Sequence, residues 1–524
     1  MDGKAPLIAS RQGMVAAAHP LAAAAGVRIL GRGGNAFDAA VATAAALGVV
    51  EPGLSGLGGG GMATCWVAAD HRARTLGFTP VVPARFPGGG EGGTPSGGMA
   101  VAAPGALAGW YDLLSAHGTL TLAQVLAPAI ELAEDGIPVV GCVAATLAHA
   151  ARELRDSPCF AAWDRIYGAG GRPRPGAVLR QPALAATLTT IAAEGPRALH
   201  GGRLGQALVA QVQALGGVLS LADLEAVSAR WERPVSMRYR DLVLHVPPPP
   251  GRGGELLLAL GILDDVDLAA MECGGVAHLD AVWRAMRLAA MERAAGEDLP
   301  EEAQPERWLA DDTLERLRLR ARDGEPVEGA VEPWQAPQPH TTALAVADRM
   351  GNLVCITQTL GSAFGGGVVV PELGLCLNNA LSWGRRIPPP TGARPAGGRR
   401  IATPIAPVLA TRNRRPWLAL GSPGGWGISQ VLAQALVRIV DFAEPLQQAI
   451  EAPRARLWDG RRVTAEDRIA PAVLEALRAR GHDVTASGAW SEATGAVQAV
   501  AIDAVTGVIT GAADPRRDGY AAGI

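Results

Sequence analysis

The residues of this 524-residue chain whose types and spacing suggest chemistry begin at His340-Thr341-Thr342. Thr342, Leu344 and Val346 alternate with smaller residues, as in a strand. Arg349-Met350-Gly351-Asn352 is a turn signal, and residues 353–360 alternate again. In a hairpin centred on Met350-Gly351, facing positions sum to 701, which sets Thr342 opposite Thr359 and Thr341 opposite Leu360. A shift of one residue leaves Thr359 beside Thr341. Two hydroxyls are thereby brought together directly after a charged, proline-bearing stretch.

A threonine at a free chain terminus carries its own base, because its α-amine can take the Oγ proton. No Ser-His-Asp set is then required. Before that terminus exists, Oγ can attack the preceding peptide carbonyl and form an ester that water opens. Taken alone, the stretch reads as an ordinary strand pair bearing threonines, and the chemistry needs support from the rest of the chain.

The elements that must position these residues are legible in outline. His19-Pro20 opens an Ala-rich helix that ends at Gly33-Gly34. Asn35 caps a second helix, Ala36 to about Val49, with Asp38 near its positive end. Its small residues on all sides predict burial. Glu51-Pro52 and a Gly-rich loop, 55–62, follow. A phosphate loop needs Lys-Ser/Thr after its glycines, and a dinucleotide fingerprint follows a strand. This run follows a helix and ends in Met62-Ala63, so its glycines serve close backbone approach. Further helices are expected within 104–141 and over 181–193, 205–215, 255–263 and 277–294. Residues 295–338, with Pro300, Pro305, Pro326, Pro333, Pro337 and Pro339, read as an exposed linker.

Composition narrows the class. The chain is 48% hydrophobic and 19% charged with a net charge of −3, so it lacks the basic field of a nucleic-acid binder. Its glycines and prolines follow no triplet period, which excludes collagen-like and low-complexity readings. Cys65, Cys142, Cys159, Cys273, Cys355 and Cys376 form no CxxC pair or zinc spacing and read as buried thiols. The isolated His19, His278 and His482 read as structural. No apolar leader or bilayer-length run is visible, so a cytoplasmic protein without membrane contact is expected. Length alone suggests about three domains.

Four separated segments decide the reading: GNAFDAAVATAAALGVVEPGLSGLGGGGM (34–62), HTTALAVADRMGNLVCITQTLGSAFGGGVVVPELGLCLNN (340–379), GSPGG (421–425) and GAADPRRDG (511–519). Together with GGVLSLADL (216–224) and VPPPPGRGG (246–254), they resemble γ-glutamyltranspeptidases, in the same order and almost end to end. The resemblance implies an N-terminal-nucleophile hydrolase with an α+β, four-layer αββα sandwich. It implies a precursor cut between His340 and Thr341 into a large subunit, 1–340, and a small subunit, 341–524, intertwined as a heterodimer in one core. No metal or organic cofactor is implied; the partner is a small-molecule substrate.

Carried over by position, Thr341 is the nucleophile and Thr359 holds it in line. Gly424 and Gly425 offer backbone N–H groups to an oxyanion, where a side chain would block approach. Asn378 and Asn379 match the family's paired asparagines. The glutamyl clamp departs from the family pattern. Thr79 stands at the position of the arginine that holds the α-carboxylate, and Gly361 replaces an asparagine. Trp383 falls at the acid's position, Thr403-Pro404 replaces the serine pair, and Ala343 replaces a histidine. The substrate-binding candidates are therefore Thr79, Gly361, Asn379, Trp383 and Thr403.

An unpaired buried carboxylate costs several kcal/mol, so these departures predict poor γ-glutamyl turnover. The leading expectation is a self-processing hydrolase or acyltransferase acting on a small non-γ-glutamyl amide or an activated C–C bond, in biosynthesis or catabolism. The alternatives are a γ-glutamyl hydrolase whose clamp is rebuilt from Arg385, Arg386, Arg399 or Arg400, and an inactive binding or scaffold member.

Overall fold

The computed structural model describes residues 6–87, 94–168, 174–296, 304–324, 327–329, 331–332, 340–383 and 397–524. Two antiparallel sheets of seven strands each dominate it. The first runs Tyr520–Gly523, Gly13–Ala17, His340–Asp348, Leu353–Gly361, Gly60–Val67, Arg72–Phe78 and Arg230–Glu232. The second runs Ile8–Ser10, Ile509–Ala513, Gln498–Ile502, Arg415–Gly421, Val408–Arg412, Leu242–Val246 and Val235–Tyr239. Both sheets contain strands from before and after residue 340.

Strand alternation sorts the side chains into layers. Leu344 and Val346 pack with the helices Pro20–Gly31 and Ala36–Val50 on the outer face of the first sheet. Ala345 and Ala347 turn the other way and meet Leu409, Ala419 and Val500 between the sheets. The helices Gly253–Leu263, Val276–Ala295 and Ile428–Val440 cover the second sheet's outer face. The result is helix, sheet, sheet, helix: the four-layer αββα sandwich expected from the resemblance, with no separate third domain.

Local chemistry explains the element that leads into the site. Asn35 accepts from the N–H groups of Phe37 and Asp38, while Asp38 accepts from the Asn35 N–H, closing a capping box. All of Ala36–Val50 except Gly48 is buried. Its small side chains let neighbouring helices and the sheet approach on every side. At its end Glu51 is buried too.

Three readings need correction. Residues 104–141 split into Ala106–His117 and Leu122–Asp135, because Gly118 ends the first helix and Thr121 caps the second. Gly60, Gly61 and Met62 belong to the strand Gly60–Val67 rather than a loop. The close approach inferred for the glycines holds: a Cβ on Gly59 would lie 2.2 Å from the Thr359 carbonyl oxygen. The expected linker carries helices Gln304–Trp308 and Asp311–Arg322, whose Trp308, Leu314 and Leu317 join the outer core. An amphipathic face outweighed the proline signal there. Pro300, Pro326, Pro333, Pro337 and Pro339 lie outside the described residues.

All six cysteines are free thiols. Among the described residues no helix is long and apolar enough to cross a membrane.

Candidate active site

The hairpin pairs Thr341 with Thr359 and Thr342 with Gln358, so facing positions differ by one residue from the turn-centred reading. The connection is not symmetric about Met350-Gly351: the Gly351 N–H donates to the Asp348 carbonyl, which centres the turn on Arg349-Met350, and the strand pairing closes at Ala347 and Leu353. The register then slips between His340 and Thr341, where His340 faces Gly361. That bulge turns the His340 carbonyl toward Thr359.

Thr359 Oγ1 is the hub. It donates to the His340 carbonyl oxygen at 2.6 Å, and accepts from Thr341 Oγ1 at 3.1 Å and from the Gly361 N–H at 2.8 Å. A hydroxyl has one proton and two lone pairs, so its capacity is filled. This geometry sets the 340–341 peptide bond beside its candidate attacking hydroxyl.

Thr341 and Thr359 open into a cavity of about 40 Å³ lined by Pro80, Leu360, Gly361, Asn378, Ala380, Trp383, Ile401, Ala402, Thr403 and Pro404. None of these lining side chains is charged. Trp383 Nε1 donates to Asn379 Oδ1 at 3.0 Å, and Asn379 Oδ1 also accepts from the Ser362 N–H. Gly361 has φ +99°, and a Cβ there would lie 2.2 Å from Asn379 Oδ1 and 2.9 Å from Trp383 Nε1. Gly361 and Trp383 therefore fit one another: the tryptophan occupies the space that a side chain at 361 would need. Asn378 holds the loop from below, donating to the carbonyls of Gly58 and Ala102.

Other expected residues fall around this cavity. Thr403 lines it, with its N–H on the Pro250 carbonyl. Thr79 is buried next to Pro80, and its Oγ1 has no hydrogen-bond partner among the described residues. Gly424 and Gly425 sit in the turn between Arg415–Gly421 and Ile428–Val440, with φ of +140° and +56°. The next residue, Trp426, packs near Trp383 with ring centroids 5.9 Å apart, and the Arg252 guanidinium lies over the Trp426 ring at 3.8 Å. Arg400 is held by both oxygens of Glu232 at 2.7 Å. Arg399 is exposed, and Arg385 and Arg386 lie outside the described residues. His19 caps its helix through Nδ1, His278 accepts from the Gly274 N–H, and His482 bonds Asp280, so all three have structural roles.

The opposite side of Thr341 is polar, which the sequence did not reveal. Arg517 Nη1 donates to the Thr341 carbonyl at 2.8 Å, and Thr342 Oγ1 donates to Glu51 Oε2 at 2.6 Å. Complete burial raises the Glu51 carboxyl to about 7, against the pull of Arg517 and Thr342, with Asp518 and Glu492 adding to the rise. Burial, aided by Arg517 and His149, pushes the His340 ring down to about 3, so it is neutral at working pH. Beneath them Arg454, Arg516, Asp514 and Glu466 form a buried ionic network that fixes the segment bearing Arg517. The only sequence cue was the motif GAADPRRDG and the lone acid after an apolar helix. Among the described residues no cluster of His, Cys, Asp or Glu suits a metal ion.

The sequence pattern of the family Gamma-glutamyltranspeptidase matches residues 22–524. The chain belongs to this family. It is a divergent member. The Acylase ACY 1 proenzyme of Pseudomonas sp. (strain V22) is 36% identical, over 98% of this chain and 94% of its own length. The glutathione hydrolase proenzyme of Bacillus subtilis (strain 168) is 31% identical, over 98% and 92%. The crystal structure of a cephalosporin acylase from Bacillus halodurans superposes with a TM-score of 0.90 at 30% identity, covering 100% of this chain and 98% of that one. The protein is thus a γ-glutamyltranspeptidase-like enzyme with the N-terminal-nucleophile hydrolase fold.

Proposed function

We propose that this family member is a self-processing acylase that hydrolyses amides of small, uncharged acyl groups. In maturation, Thr341 Oγ bonds to the His340 carbonyl carbon while Thr359 Oγ–H steadies the developing oxyanion. The bond from that carbon to the Thr341 nitrogen breaks, and the Oγ proton ends on the freed amine. Water then opens the ester and leaves a carboxylate on His340. The fragments 1–340 and 341–524 stay together because each supplies strands to both sheets.

In turnover the Thr341 amine takes the Oγ proton as Oγ attacks the substrate amide, and the departing amine receives it. The N–H groups of Gly424 and Gly425 stabilise the oxyanion, and water releases the acyl group from Thr341. Thr403, Gly361 and Trp383 bound the acyl site, Asn379 holds Trp383 in place, and Thr79 backs the wall at Pro80.

The uncharged lining of the cavity carries this reading. A γ-glutamyl group would bring an α-carboxylate and an α-ammonium against a lining with no charged partner for either among the described residues, at a cost of several kcal/mol. The small volume favours short acyl chains. The higher identity to the Pseudomonas acylase than to the Bacillus glutathione hydrolase agrees with it. Engagement of Arg400 by Glu232 speaks against a clamp rebuilt from that arginine.

The test is a panel of p-nitroanilides, from acetyl to pentanoyl, set against γ-glutamyl p-nitroanilide. A kcat/KM for the best short acyl group at least about 100-fold above the γ-glutamyl value is expected. The reverse order would overturn the proposed pocket. A T341A precursor should run as one band on a denaturing gel where the parent gives two.

A further inference from the structure

Residues 341 and 342 are held from two directions that have no part in the chemistry described so far. In a strand, backbone carbonyls lie in the sheet plane and side chains stand across it. Arg517 grips the Thr341 carbonyl within the plane, whereas Glu51 takes the Thr342 hydroxyl on the helix side. Glu51 is fixed in turn by its place at the end of the buried helix Ala36–Val50. The other titratable groups facing this point are Asp518 beside Arg517, Glu492 from the short turn Glu492–Thr494, Cys142 and His149 on the helix Gly141–Glu153, and His340, whose ring is held neutral. Arg517 is the cation among them, and Glu51 is the acid that accepts from the nucleophile's own strand.

We propose that Glu51 and Arg517 are positioning residues for the nucleophile, fixing residues 341–342 in two perpendicular directions, and that self-cleavage is fastest when Glu51 is ionised. An ionised acceptor makes a charge-assisted bond to the Thr342 hydroxyl, about twice as strong as a neutral one. It also balances Arg517, which then stays aimed at the Thr341 carbonyl. Protonation weakens both restraints at once. A shift of about 1 Å in a reacting atom costs on the order of 100-fold in rate.

The inference rests on Thr341 being the attacking residue. Self-cleavage is the suitable readout, because the Thr341 nitrogen is still in a peptide bond and its amine cannot titrate. Precursor made by cell-free translation is transferred to buffers from mildly acid to mildly alkaline, and the two fragments are followed on denaturing gels. The parent rate should climb with pH through a midpoint near 7. E51Q should lose that step and cleave roughly 10–100-fold more slowly on the alkaline side. T342V, which keeps shape and charge, should move the midpoint upward, since a bond favouring the carboxylate is gone. R517M should slow cleavage at every pH.

E51Q cleaving at the parent rate with the parent profile overturns the proposal. If E51Q fails to fold by circular dichroism, T342V decides: an unmoved midpoint in folded T342V overturns it equally. A T341A precursor that still cleaves refutes a different claim, the identity of the nucleophile, and leaves Glu51 nothing to position.

Discussion

Thr359 Oγ1 carries three hydrogen bonds at once, so Thr359→Val tests the site most directly. Valine keeps the volume and β-branching, and the strand Leu353–Gly361 should persist. The change deletes the donor to the His340 carbonyl, the acceptor for Thr341 Oγ1 and the acceptor for the Gly361 N–H. Losing one preorganised oxyanion donor costs about 2.7–4 kcal/mol of transition-state stabilisation, or roughly 10²–10³ in rate. Thr341 Oγ also loses its directional restraint, which adds to the deficit. The unpaired Gly361 N–H costs about 1–3 kcal/mol of stability. The assay is the time course of fragment formation from purified precursor, with a denaturant melt in parallel. Thr359→Ser keeps the hydroxyl and should cleave within about tenfold of the parent, since only rotamer freedom is gained. A valine variant that matures as fast as the serine variant would refute the role given to this hydroxyl.

Three further outcomes follow from the structure. Gly361→Ala should lose about 1–3 kcal/mol in a denaturant melt, because φ is +99° and the new Cβ meets Asn379 and Trp383. Adding Trp383→Ala should relieve part of that loss, a non-additivity read from a double-mutant cycle. Asp514→Asn should cost about 3–5 kcal/mol, since it leaves Arg454 and Arg516 sharing Glu466 in a buried network. Glu51 gives a pH signature in stability. The folded chain binds its proton more tightly than the unfolded chain, so stability present below about 4.5 is lost as pH rises toward about 7. The full loss is on the order of 3 kcal/mol. The difference in melting free energy between parent and E51Q should therefore grow with pH in that window and stay flat above it. A flat difference throughout would place Glu51 in a solvated, unstrained setting.

Glu51 keeps an ionisable group where its charge is costly. An apolar residue or glutamine would suit the end of a buried helix better on stability alone. That cost is physically reasonable where the charge aims a reacting group, and it ties the stability experiment to the self-cleavage experiment.

The sequence by itself determined the elements whose causes are local. The capping box at Asn35 and Asp38, the buried small-residue helix and the alternation after residue 340 all rest on contacts within a few positions, and they appear as read. Local pairing also put Thr359 beside Thr341, although the turn moved the register by one residue. Tertiary structure decided what depends on distant chain segments. Glu51 meets Thr342 across 291 positions and Arg517 meets Thr341 across 176. The matched fit of Gly361 and Trp383 likewise exists only once the strand and the 379–383 turn are packed together. No periodicity or spacing encodes such pairs, because they are set by how two sheets and their helices close on one another.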